Sequence, residues 1–391
     1  MKRRKKETAI TLVSLVITII ILLILAGISI SSLTNTGIFG KAQEAKSKME
    51  NAEKNQEVVL SEYEKTLNEK LAEKLSSEKI NKVLSMDKNV SLIDENGNML
   101  VVPAGFKIVV DDTTKNAITV DKGIVVEDAT VKEDGTPTST NGSQFVWIPV
   151  GNIKKDDGEI VIINLNRYTF ESDGTPVELD DKEINNYVEL KKSNYGNKTA
   201  KDIDAFKASV IKNGGYYIGR YEARRSSEGE VTENGNDVIF GSILQSEAVI
   251  KSQNMYNNSN FVTDLFNSYS WDTAIVFLQN FGTNKEYFKQ ISINKSYVEK
   301  GTNSLSNESE VDLQCNIYDM ASNLLEWTTE THRGISAGLT TRGGLVDSDY
   351  YYLALRNAVT NGMVEENVGF RPILYMNDWF YFDEMYEENK T

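Results

Sequence analysis

The sequence predicts an α+β protein: an N-terminal transmembrane and stalk helix, then a small β domain, then a larger mixed domain. Three observations lead there. Ala9 to Ile30 is a run of 22 residues without a charge. Residues 42–63 carry a heptad seam, and from residue 88 the apolar period falls to two. At 391 residues the chain can hold two or three domains and at least one sizeable core.

Residues 1–31 come first. As a helix, an uncharged run of that length spans about 33 Å, enough for a bilayer core. A cleaved secretory signal carries an apolar stretch of only about 7–15 residues, so this one is too long. The basic cluster KRRKK keeps its end cytoplasmic, which places the rest of the chain outside as a single-pass, N-in protein. The stretch KKETAITLVSLVITII also resembles the N-terminus of type IV pilins and pseudopilins. That resemblance implies cleavage between Ala9 and Ile10, with Ala9 standing where the family has Gly and Ser14 where it has Glu. An uncleaved signal anchor is the other reading.

Residues 32–86 are expected to be an extended stalk helix. Ala42, Ala45, Met49, Ala52, Gln56, Val59 and Tyr63 alternate steps of three and four, then Leu67, Leu71 and Leu75 follow at four. Such a stripe suits self-association, or the packing against pilin partners that the resemblance implies, and equally a solvated stalk packed on its own protein. Residues 87–138 read as a small β domain, with VSLID, MLVVP and FKIVV punctuated by Asn96-Gly97 and Pro103-Ala104-Gly105. A polar linker, EDGTPTSTNG, leads into residues 139–377. There, helix is expected over 271–281 and 202–212. Residues 378–391 form an acidic tail.

Charge and rare residues exclude several classes. The net charge is −15, and residues 1–31 hold five Lys/Arg against one Glu, leaving −19 for the rest. An acidic body of this kind repels nucleic acid. One cysteine, Cys315, and one histidine, His332, allow no intramolecular disulfide, and no zinc or iron site is expected.

Four landmarks fall in order: FVWIPV (145–150), GGYYIGRYEA (214–223), IYDMASNLLEW (317–327), and RGGL (342–345) with VGFRPIL (368–374). Together with Ser270-Trp271-Asp272-Thr273-Ala274, they resemble the formylglycine-generating enzyme (sulfatase-modifying factor) family. That resemblance implies a variant of the C-type lectin fold over about residues 144–376. The family's oxidases bind copper through two cysteines after RGGS. Those positions fall near Ser348 and Leu353 here, so neither a copper site nor oxidase activity is expected. The resemblance also implies a structural calcium ion, held by the side chains of Asp319 and Glu326 and the carbonyls of Ser322 and Leu324. Carboxylates with backbone carbonyls are a calcium-type ligand set, although Ser322 replaces the usual Gly. The alternative is that Asp319 and Asn323 cap turns while Glu326 pairs with an arginine. Arg371, charged amid apolar neighbours, needs such a partner if buried, and Glu222 or Glu326 is the natural choice.

The expected function is a non-catalytic, surface-displayed binding or adhesion protein, anchored through residues 9–30. Its ligand surface is expected at Asp347, Asp349, Tyr350, Tyr351, Tyr352, Arg356 and Asn357, because Tyr with Asn and Asp makes adaptable contacts. Glycan and protein ligands are not distinguished. A minor pilin-type filament subunit and a residual enzyme of another type are the alternatives.

Overall fold

Strands dominate the fold, because most apolar positions from residue 90 onward alternate or run in short β-branched blocks. The computed structural model describes residues 46, 48, 49, 70, 72–131, 137–139, 142–179, 184, 186–189, 199–225, 231–232, 238–284, 313–334, 338–345, 350–360 and 367–377. The segments 1–31 and 378–391, nearly all of 32–71, and Ala9, Ile10, Asp347 and Asp349 lie outside these residues. The chain divides into two units, Met1–Tyr63 and Glu64–Thr391. In the first, Lys46, Lys48 and Met49 are helical and exposed.

In the second unit the labelled elements, in chain order, begin with β1 (Val90–Ile93), β2 (Met99–Val102), β3 (Phe106–Val109), β4 (Val125–Asp128) and β5 (Gln144–Pro149). Two ribbons follow, β6 (Gly151–Lys154) with β7 (Ile160–Ile163), and β8 (Arg167–Phe170) with β9 (Pro176–Leu179). Next come β10 (Tyr187–Glu189), α1 (Ile203–Asn213), β11 (Gly215–Gly219), α2 (Gln245–Gln253), β12 (Phe261–Leu265) and α3 (Ser268–Phe281). The chain closes with β13 (Leu325–His332), β14 (Gly338–Arg342), β15 (Asn357–Val359), β16 (Val368–Phe370) and β17 (Pro372–Met376).

Two sheets organise these strands. The larger is antiparallel, in the order β12-β17-β11-β5-β4-β3. The smaller runs β10-β13-β14-β15, with β16 pairing parallel to β13. Trp147 and Trp271 are fully buried in the core against the larger sheet, and Trp327 in a second cluster with Phe240, Leu325, Val368 and Phe370. Glycine permits two close approaches. A Cβ on Gly215 would lie 2.5 Å from the Ile148 carbonyl oxygen, and one on Gly344 would lie 1.7 Å from that of Ala321.

The expected fold class is corrected here. The described residues are mainly β, and the labelled α-helices have 11, 9 and 14 residues. Among them, no helix is long and apolar enough to cross a membrane. The stalk helix does not extend to residue 86 either. Glu73 and Lys74 form a short strand parallel to Leu92 and Ile93, Ser77–Lys79 form a 3-10 turn, and Leu75 joins the core. Leu75 is apolar because it packs against strands, which a four-residue step cannot reveal. Within residues 87–138, β1 and β2 join Glu73–Lys74 in a separate three-stranded sheet, whereas β3 and β4 run on through β5 into the larger sheet.

Candidate functional site

The loop that precedes β15 rests on a buried ionic network. Asp272 lies in the first turns of α3, a helix started by a capping box between Asn267 and Ser270. Glu330 lies on β13, Arg342 ends β14, Arg167 opens β8, and Arg356 stands just before β15. Arg342 Nη2 is 2.6 Å from Asp272 Oδ1, and Arg167 Nη2 is 2.6 Å from Glu330 Oε1. Arg356 reaches both acids: its Nε is 3.0 Å from Glu330 Oε1, and its Nη2 donates to Asp272 Oδ2. Its Nη1 donates to the Tyr168 carbonyl at 3.1 Å. Burial alone would push the Glu330 carboxyl up, but the charges of Arg356, Arg342 and Arg167 outweigh it and hold the group at about 2.

Arg356 was expected to face a ligand. Its side chain is instead only 8% exposed and committed to these ion pairs. Asn357 donates to Thr341 Oγ1 at 3.1 Å, tying β15 to β14. The three tyrosines divide. Tyr350 is 68% exposed, while Tyr351 and Tyr352 are half-buried, Tyr351 packing against the second core cluster. The rings of Tyr350 and Tyr351 meet edge-on at 5.1 Å. From β10, Tyr187 donates its hydroxyl to the Arg356 carbonyl at 2.8 Å, and its ring packs edge-on against His332 at 4.6 Å. Among the described residues, the surface is therefore one exposed aromatic residue and several half-buried ones, over a backbone fixed from both sides.

The segment 317–327 builds a second buried ionic group. Arg371 Nη2 lies 2.8 Å from Glu326 Oε1, and its Nε donates to both carboxylate oxygens, at 3.2 and 3.3 Å. The same guanidinium donates to the carbonyls of Gly219 and Tyr318. Glu222, on the chain leaving β11, accepts from Leu324 N at 2.9 Å and from Asn323 Nδ2. Burial, then the neighbouring Glu326 charge, pushes the Glu222 carboxyl up to about 8. Asp319 and Asn323 both adopt left-handed backbone, φ 58° and 64°. Among the described residues, no group of three or more His, Cys, Asp or Glu is placed to hold a metal ion. Of the four groups expected to hold calcium, the Glu326 carboxylate accepts from Arg371 on both oxygens and the Asp319 side chain is buried.

Sequence reasoning missed the roles of Asp272, Glu330, Arg342, Arg167 and Tyr187. Asp272 and Arg342 stood in noted landmarks, so a buried pair between them was within reach. Glu330 carries no local signal, lying in the run Thr328-Thr329-Glu330-Thr331.

No protein-family model matches the chain, and no curated protein matches it. Among solved structures, Treponema denticola variable protein 1 is similar to it at 13% identity and a TM-score of 0.30, over 60% of this chain and 97% of that one. Similarity that distant carries no conclusion about fold or function.

Proposed function

We propose that the protein is a non-catalytic, surface-displayed binding protein whose ligand docks on the Tyr350–Tyr352 loop. One observation supports this above the others. Tyr350 presents a largely exposed ring from a loop whose base is held by Arg356 against Asp272 and Glu330. An aromatic side chain with few rotors on a fixed backbone loses little entropy on binding, and that is what a contact residue needs. Attachment to the cell through the apolar run 9–30 completes the reading. N-terminal sequencing of the cell-associated protein tests it, because a new N-terminus at Ile10 favours a pilus-type subunit.

The binding itself is tested on the full chain with glycan and peptide arrays, comparing it with Tyr350→Ala. The expected result is a ligand retained by the native chain and lost by the variant, at an unchanged melting temperature. Equal binding by both places the ligand elsewhere and overturns the proposal.

A further inference from the structure

A second pair of tyrosines, Tyr221 and Tyr318, stands where the chain leaves β11. A short hairpin, Leu313–Gln314 against Ile317–Tyr318, brings them together, and Tyr318 N donates to the Arg220 carbonyl at 3.0 Å. The two rings stack at 5.0 Å and 17°, and they are 8% and 9% exposed. Tyr216 and Tyr217 on β11 are buried as well, but their hydroxyls donate to the Ser270 and Val101 carbonyls. Among the described residues, the hydroxyls of Tyr221 and Tyr318 have no such acceptor, and neither is sealed from water. Each is a donor on a fixed ring, open to a ligand.

A charge lies beside them. Arg220 is fully buried, with its guanidinium 5.4 Å from both ring centroids. Its Nε, Nη1 and Nη2 donate to the Asn316 carbonyl at 3.2 Å, Gln144 Oε1 at 2.5 Å and the Thr113 carbonyl at 2.6 Å. All three acceptors are neutral. Two acids border this group, and both are engaged elsewhere. Asp111 accepts from Thr113 Oγ1 and Thr114 N, and Glu127 accepts from Gln144 Nε2 and pairs with Lys107. The arginines of the two ionic groups, by contrast, each meet a carboxylate. A buried guanidinium held only by neutral oxygens still lacks a counter-charge.

We propose that Tyr221 and Tyr318 form a binding site for one carboxylate group, which accepts from both hydroxyls and balances the charge of Arg220. One uncompensated guanidinium matches one negative charge, and that selects a carboxylate over a doubly charged phosphate. Burial holds the Tyr221 phenol above its ordinary pKa, so it stays protonated and donating at neutral pH. The site is independent of the Tyr350–Tyr352 loop.

The test is titration calorimetry of the full chain in mild detergent. The probes are glucuronate and N-acetylglycine, their neutral counterparts glucose and N-acetylglycinamide, and inorganic phosphate. The expected result is saturable binding of at least one carboxylate, with its neutral counterpart silent and phosphate weaker. Which carboxylate binds shows whether a sugar acid or a peptide carboxylate is the source. Tyr221→Phe and Tyr318→Phe keep the rings and remove the donors, and each weakens binding by about tenfold. Tyr350→Ala leaves it unchanged. Melting temperatures identify a variant that fails to fold, and the other Phe variant then carries the comparison. The proposal is overturned if neither carboxylate binds, if a neutral counterpart or phosphate binds as well, or if both Phe variants bind like the native chain. Loss of binding in Tyr350→Ala alone overturns it too, by placing the carboxylate on the loop.

Discussion

Arg356 Nε stands 3.0 Å from Glu330 Oε1, so a residue of the tyrosine-bearing loop is ion-paired to an interior strand of the smaller sheet. The loop is thereby anchored from beneath, and its stability is tied to that of the sheet. Replacing Arg356 with Met leaves Glu330 and Asp272 to share Arg167 and Arg342. Both acids keep a guanidinium, so the cost is that of buried acceptors left short of a donor, about 1–3 kcal/mol. The expected outcome in chemical denaturation is a loss of that order, with hydrogen exchange accelerated in 350–356 before other regions.

Acid buried without full compensation gives a pH dependence of fixed sign. Glu222 is raised from 4.5 to about 8 by burial first and the Glu326 charge second, and burial brings Glu189 to about 7. A carboxyl raised on folding adds stability that is complete below its unfolded pKa and is lost as pH rises through the folded one. The melting temperature is therefore expected to fall from about pH 5 to pH 8.5. Glu222→Gln should flatten the upper part of that slope. Glu330, held at about 2, works oppositely and contributes only above its unfolded pKa, so stability also falls on strong acidification.

Gly344 is predicted to tolerate no side chain. The clash of an added Cβ with the Ala321 carbonyl can be relieved only by moving backbone, at a cost of about 1–3 kcal/mol or more. At Gly241 the nearest atom to an added Cβ is Leu324 Cδ1, at 4.0 Å. Gly344→Ala should lower the denaturation midpoint clearly, and Gly241→Ala should leave it nearly unchanged.

Calcium provides a further check. Because Arg371 occupies the Glu326 carboxylate, calorimetry with calcium and with chelator is expected to give the same melting temperature. A calcium-dependent rise of several degrees would show instead that the ion displaces the guanidinium.

Local features of the fold were legible in the sequence, and long-range ones were not. Helix was expected over 202–212 and 271–281, and is found at Ile203–Asn213 and Ser268–Phe281. The second begins earlier because Asn267 and Ser270 cap each other. FVWIPV and GGYYIG are neighbouring strands of the larger sheet. The helix Gln245–Gln253 went unread, since QSEAVIKSQ buries only Gln245, Ala248, Val249 and Ser252 and shows a weak stripe. Arg356 read as a contact residue because its neighbours are Tyr and Asn. Its partners, 84 and 26 residues away, are invisible to any local window. A carboxylate partner for Arg371 was foreseen, at Glu222 or Glu326, because a buried guanidinium demands one; the structure pairs it with Glu326.

The antiparallel junction of Val125–Glu127 with Gln144–Val146 has a consequence for dissecting the chain. A fragment begun at residue 139, where composition invites a cut, would strip β5 of a neighbour and remove Phe106 from its edge-on contact with Phe145. The landmark-bearing portion is therefore not a detachable cassette: whatever exchanges or inherits it must carry residues 90–128 as well.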